Sequence, residues 1–375
     1  MSAAFDPTDA LFARSGRVAA LLRERDVDLL LVSVPLNVRY LTGYTGSNGM
    51  ALIAADEQSG RHRFFTDFRY AAQSQVQVPD LFEREIVTGE LLDAAVGAAA
   101  SAGGPGGRLG FDEAALTVKQ HTRVLERLAD GWELAPCGGI VERLREVKDA
   151  GELQRIRAAA ELAVEALHGL LEAGVVGRTE RDVTIELELR MRRLGAEAPS
   201  FPSIVAGGEH GALPHAEPRD VQIPSGALLT IDWGAQLDGY CSDCTRTFAT
   251  GELPDDAREV YELVRRAQET ALAAVRPGPK GSEVDQVARA IIAEAGHAEH
   301  FGHGLGHGVG LEIHEGPRLS RTGGDEPLRA GNVVTVEPGV YLPGRFGVRI
   351  EDLVFVTADG GEPVGRFTKE LITVS

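Results

Sequence analysis

Residues 228–249 read LLTIDWGAQLDGYCSDCTRTFA, and the fold turns on them. Two β-branched and aromatic arms flank Asp238-Gly239, a dipeptide typical of tight hairpin turns, so the stretch reads as a β-hairpin. With a two-residue loop, Asp232 and Asp243 become diagonal neighbours on one face. With a four-residue loop around the same turn they lie directly opposite, and an odd-length loop would put them on opposite faces. Like charges meeting across paired strands repel. Either even loop therefore calls for a solvated face or for a cation between the two carboxylates.

Downstream, residues 302–310 read GHGLGHGVG, followed by Leu-Glu-Ile-His314. Glycine at every second position excludes a stable helix, although His303 and His307 have the spacing of a helical metal pair. As an extended segment it sets His303, Leu305, His307 and Val309 on one side and bare backbone on the other, which invites close approach by a ligand or another chain segment. Thr335-Val-Glu337-Pro-Gly-Val-Tyr341 and Gly347-Val-Arg349-Ile-Glu351-Asp-Leu-Val each place a carboxylate inside an apolar run. Such groups are buried only when paired or metal-bound; taken alone, Glu351 could be salt-bridged by Arg349. Together with the hairpin they give four strand carboxylates and an imidazole, a donor set suited to two divalent ions. Its oxygen-rich character favours Mn2+, with Co2+, Zn2+ or Fe2+ as alternatives, over an all-protein Mg2+ cage or a thiolate zinc site. Cys241-Ser-Asp-Cys244 has no second cysteine pair, and the glycine-rich run lacks the lysine of a phosphate-binding loop.

The rest of the chain sets bounds. Its 375 residues suggest two or three domains, or one large one with an attachment, and 56 acidic against 38 basic side chains leave a formal charge of −18, which argues against nucleic acid and anionic membrane surfaces as partners. The 43% hydrophobic content is ordinary for a globular protein. Three cysteines make no disulfide framework, the first twenty residues lack an apolar leader core, and no uncharged run is long enough to cross a membrane. These features predict a cytoplasmic protein. Strand-like runs at 28–34 (ended by Pro35), 50–54 and 63–66 alternate with helices at 16–25 and 91–102, the latter stopped by Gly103-Gly-Pro-Gly-Gly107, predicting an α/β domain over residues 1–140. From Asp149-Ala-Gly-Glu152, with the spacing of a helix cap, residues 141–375 read as long helices to about 173 and at 179–194, then strands interrupted by helices at 254–275 and 281–296.

The ordered set Asp232, SDCTRTF, HGLGHGVGLEIHE, TVEPGVY and GVRIEDLVFVT resembles the metallopeptidase family of pita-bread fold, which includes methionine aminopeptidase, aminopeptidase P and prolidase. The N-terminal stretches NVRYLTGYTGSNG and RFFTDFRY resemble the creatinase/prolidase-type N-terminal domain, which methionine aminopeptidases typically lack. The resemblance implies an α+β catalytic domain and a proline-specific exopeptidase, cleaving the N-terminal Xaa-Pro bond by attack of a hydroxide held between two metals. It implies Asp232, Asp243, His307, Glu337 and Glu351 as metal ligands, with Asp243 and Glu351 bridging and Glu337 also shuttling the proton. His215 and His314 would lie beside the substrate, with His303 and Arg349 behind or near them. Peptides with proline at the second position are the implied partners, and a homodimer the implied assembly. The competing expectations are methionine-aminopeptidase-like activity, or a metal-free relative acting as a creatinase-type hydrolase or protein-binding module.

Overall fold

The computed structural model describes residues 7–56, 61–102 and 106–375. Residues 1–6, part of the stretch expected to lack an apolar leader core, and residues 103–105 of the expected glycine-rich stop lie outside the described residues. The chain divides into two compact units between Arg145 and Glu146.

The N-terminal unit runs α1 (Pro7–Glu24), β1 (Leu29–Val32), α2 (Pro35–Thr42), β2 (Met50–Ala54), β3 (Arg63–Asp67), α3 (Ala71–Gln77), β4 (Glu83–Val87), α4 (Leu91–Ala102), β5 (Gly107–Phe111), α5 (Val118–Arg127), β6 (Trp132–Pro136) and α6 (Ile140–Arg145). Its six strands form one mixed sheet in the order β4-β3-β2-β1-β5-β6. Leu29, Leu31, Leu52, Phe65 and Leu109 of the sheet bury against Ala95, Val96 and Ala99 of α4. Strand β1 stops two residues before the expected end: Pro35 does not terminate a strand but opens α2 at its first turn, where the missing N–H costs nothing. Helix α6 packs on α1 and α2, which carries this unit a few residues past 140.

The C-terminal unit begins with α7 (Ala150–Glu172) and α8 (Glu180–Arg193). Asp149 and Glu152 close the capping box at the start of α7, and Thr179 caps α8. The hairpin follows the two-residue register: Asp238 and Gly239 both take positive φ (49° and 79°), and Leu237 pairs with Tyr240. Its outer part, β10 (Ala235–Leu237) and β11 (Tyr240–Cys241), joins β7 (Ala198–Pro199); its inner part, β9 (Leu228–Trp233) and β12 (Cys244–Ala249), joins β8 (Ile204–Gly207). Asp232 therefore faces Thr245, and Asp243 is its diagonal neighbour. Leu229, Ile231 and Trp233 bury against α7 and α8, and the Trp233 indole donates to Ala163 O at 2.8 Å. Alternation then sends Thr230, Asp232, Thr245 and Thr247 to the opposite face.

Helices α9 (Asp255–Ala274) and α10 (Gly281–Glu294) cover the second half: β13 (Gly306–Gly308), β14 (Glu315–Leu319), β15 (Val333–Val336), β16 (Gly339–Leu342), β17 (Phe346–Arg349), β18 (Asp352–Thr357) and β19 (Gly360–Val364). Five of these strands form a sheet ordered β14-β13-β15-β18-β19, while β16 and β17 pair separately. The expected strand over 302–310 is shorter than its alternation suggested. Pairing is confined to β13 and irregular, and Leu305 is sealed in the core with Phe301 and Val336. The glycines serve backbone approach: a Cβ on Gly306 would lie 2.0 Å from Thr335 O, and one on Gly308 2.0 Å from Gly316 O.

Candidate metal centre

The hairpin delivers Asp232 and Asp243, β13 delivers His307, the end of β15 delivers Glu337, and the β17–β18 junction delivers Glu351. Ligand atoms of Asp243, His307 and Glu351 lie within 4.8 Å of one another. His307 Nε2 is 3.3 Å from Glu337 Oε1 and 3.6 Å from Asp243 Oδ2. Asp232, Asp243 and Glu351 are 8%, 6% and 1% exposed, so solvent does little to screen them. Burial, and after it the repulsion of neighbouring carboxylates, pushes Asp243 and Glu351 well above the usual carboxylate range. Burial pushes Glu337 up as well. The site is deficient in positive charge.

Its hydrogen bonds show where that charge belongs. His307 Nδ1 lies 3.1 Å from Gly308 O, and a carbonyl can only accept, so this nitrogen carries the ring proton. Burial favours the neutral imidazole, whose Nε2 lone pair then points at two carboxylates. Asp232 Oδ1 is buried with no hydrogen-bond partner among the described residues. Lone pair, bare oxygen and crowded carboxylates are all satisfied by divalent cations placed among them. These residues fit such ions.

Hydrogen bonds from neighbouring side chains orient four of the five. Thr335 Oγ1 accepts from the His307 backbone N–H at 3.0 Å and donates to Glu337 Oε1 at 3.0 Å. Thr245 Oγ1 donates to Glu351 Oε2 at 2.7 Å. Arg349 is 4% exposed and donates to Asp232 Oδ2 at 2.7 Å, Thr245 Oγ1 at 3.1 Å, Tyr341 OH at 2.8 Å and Pro214 O at 3.1 Å. It does not pair with Glu351, as its nearness in sequence suggested; its guanidinium is taken up by Asp232 and Thr245 of the hairpin instead. His303 Nδ1 donates to Gly304 O at 2.7 Å, so its Nε2 accepts from Tyr341 OH at 3.0 Å.

His314 sits with its ring 4.3 Å from that of His307, and burial and then the neighbouring His307 and His215 hold it below the ordinary imidazole range. His314 is thus only partly desolvated: both it and His215 keep an exposed surface, so a ligand can reach them. Tyr341 and Thr245 were not singled out from the sequence. Tyr341 closes the motif TVEPGVY, and Thr245 stands in the inward-facing register of Asp232, so an alternation count along β12 would have found it. Cys241 and Cys244 are buried and not joined in a disulfide, and burial pushes the Cys244 thiol up, against a zinc or redox role.

Residues 154–358 match the model of metallopeptidase family M24. The chain belongs to this family. Residues 14–147 match the creatinase/prolidase N-terminal domain, and the pita-bread fold expected from the motifs is the fold of the C-terminal unit. An uncharacterised peptidase of Bacillus subtilis is 40% identical over 94% of this chain and 97% of its own length. A solved structure described as an Xaa-Pro dipeptidase from Bacillus anthracis superposes with a TM-score of 0.92 at 38% identity, covering 97% of this chain and 100% of that one. Another, described as an X-Pro aminopeptidase from Thermotoga maritima, gives 0.85 at 34% identity, covering 94% and 99%. The M24 chain is thus a hydrolase, and its family implies divalent metal ions.

Proposed function

We propose that the chain is an exopeptidase for the N-terminal Xaa-Pro bond of peptides, loaded with two divalent ions. The observation that carries this is the His307 Nε2 lone pair aimed at Glu337 and Asp243, beside the bare Oδ1 of Asp232. Asp232, Asp243, His307, Glu337 and Glu351 would hold the ions, with Asp243 and Glu351 shared between them. Four carboxylates and one imidazole favour Mn2+. When bound, two such ions lower the pKa of a water and polarise the scissile carbonyl.

The protein's own groups do the rest. Glu337, held in place by Thr335, takes the proton of the attacking water on its carboxylate and passes it to the leaving proline nitrogen. His215 and His314 donate hydrogen bonds to the oxygen of the scissile carbonyl as charge develops there, each worth roughly 2.7–4 kcal/mol at comparable sites. Proline in the second position suits a site that needs no N–H from the scissile bond. The charge of −18 disfavours nucleic acid as a partner. A cytoplasmic homodimer completes the reading, supported by family likeness and checked by light scattering.

Replacing Asp243 or Glu337 by Ala should abolish hydrolysis of an Xaa-Pro peptide at saturating Mn2+ while the fold survives; turnover retained in either variant would sink the assignment. Running Xaa-Pro, Xaa-Pro-Yaa and Met-Ala-Ser side by side separates dipeptidase, aminopeptidase and methionine-aminopeptidase activity. The creatinase/prolidase-type domain speaks against the last.

A further inference from the structure

Helix α10 carries a buried ion pair outside the ligand set. Arg289 Nη2 and Nε meet the two carboxylate oxygens of Asp285 at 2.7 and 2.8 Å, and Asp285 is 0% exposed. A buried pair of this kind is no better for stability than well-packed apolar side chains. Its remaining valences all go to one place. Arg289 donates to Phe301 O at 2.9 Å and to His303 O at 2.8 Å, and Asp285 Oδ1 accepts from Leu305 N at 3.0 Å. Alternate residues on both sides of His303 are thereby gripped through their backbones, where the intervening Gly302 and Gly304 offer no side chain to hold.

The grip continues through side chains. The Arg289 guanidinium stacks on the Phe301 ring at 4.2 Å, and Phe301 meets the His303 ring edge-on at 5.1 Å. His303 accepts from Tyr341 OH, Tyr341 accepts from Arg349, and Arg349 holds Asp232 Oδ2.

The geometry points to Asp285 and Arg289 as positioning residues that set His303, and through Tyr341 and Arg349 the Asp232 carboxylate, from outside the metal centre. This rests on the reading of Asp232 as a ligand. Arg289→Lys keeps the charge on Asp285 but loses the fork that spans two carbonyls.

A double-substitution cycle with His303→Ala tests it, reading both Mn2+ affinity by calorimetric titration and kcat/KM on an Ala-Pro peptide. Arg289→Lys should cost about tenfold in each quantity, the range seen when groups behind a metal ligand are changed. In the His303→Ala background the same change should cost less than about twofold. Equal losses in both backgrounds, or no loss in either, would overturn the proposal. If Arg289→Lys fails to fold, Asp285→Asn, which keeps an acceptor for the Leu305 N–H, is read the same way. An absence of Xaa-Pro hydrolysis in the unsubstituted protein would sink the peptidase reading alone, because the Mn2+ titration still decides the clamp.

Discussion

His307 turns the unprotonated nitrogen of its ring toward Glu337, 3.3 Å from Oε1, because its other nitrogen donates to Gly308 O. Acceptor facing acceptor is unfavourable until a cation lies between them, and the first prediction follows from that.

Burial, then neighbouring carboxylates, hold Asp243 and Glu351 well above the usual range. In the unfolded chain these groups titrate near about 4. Between that value and their raised folded values, the folded metal-free protein binds more protons than the unfolded one, so its stability falls as pH rises. Mn2+ should compete with those protons, so the stabilisation it gives, about 2.7 kcal/mol where free metal is a hundredfold above the pH 7 Kd, should be smaller at pH 5 for the same free metal. Melting curves with chelator and with Mn2+ at both pH values check this; an equal gain at both would contradict it.

Tyr341→Phe removes the donor to His303 and an acceptor of Arg349, leaving buried polar atoms unmatched. Stability should fall by about 1–3 kcal/mol. Activity should fall about 10–100-fold. Denaturant titration and steady-state kinetics measure the two separately.

Gly306→Ala would force a Cβ to 2.0 Å from Thr335 O, next to the hydroxyl that orients Glu337. A cost of about 1–3 kcal/mol and loss of turnover are expected. Gly302→Ala, with nothing within 4 Å of its added Cβ, should stay within about 0.5 kcal/mol of the parent. Similar melting temperatures for the two variants would refute the packing account.

Cys137, Cys241 and Cys244 are 3%, 3% and 8% exposed. Ellman's reagent should therefore titrate no thiol quickly in the native protein and three after denaturation. Thiol alkylation under native conditions should leave activity intact.

The hairpin, both capped helices α7 and α8, and the carboxylates standing in apolar strands were legible because each depends on local chemistry: turn dipeptides, capping pairs and a burial rule. Position in space was less accessible. Spacing suggested Arg349 for Glu351, two residues away, whereas in the fold its guanidinium reaches Asp232, 117 residues away. The glycine-rich run showed its need for close approach but not its partners, Thr335 O and Gly316 O, which depend on how distant strands pair. Tyr341 and Thr245 were hidden for the same reason, since an ordinary Tyr or Thr announces nothing until its neighbours are known.

The hairpin that supplies Asp232 and Asp243 leaves the ribosome about a hundred residues ahead of Glu351. At ~5–20 residues per second, that is a wait on the order of 5–20 s. During it two acidic groups lie diagonally across paired strands without the arginine that neutralises one of them, so their repulsion opposes early closure of the hairpin. Commitment of the C-terminal unit to its fold should thereby wait until β17 has been made. A nascent chain halted before Arg349 should then expose β9 and β12 to proteases, and one released past Glu351 should protect them.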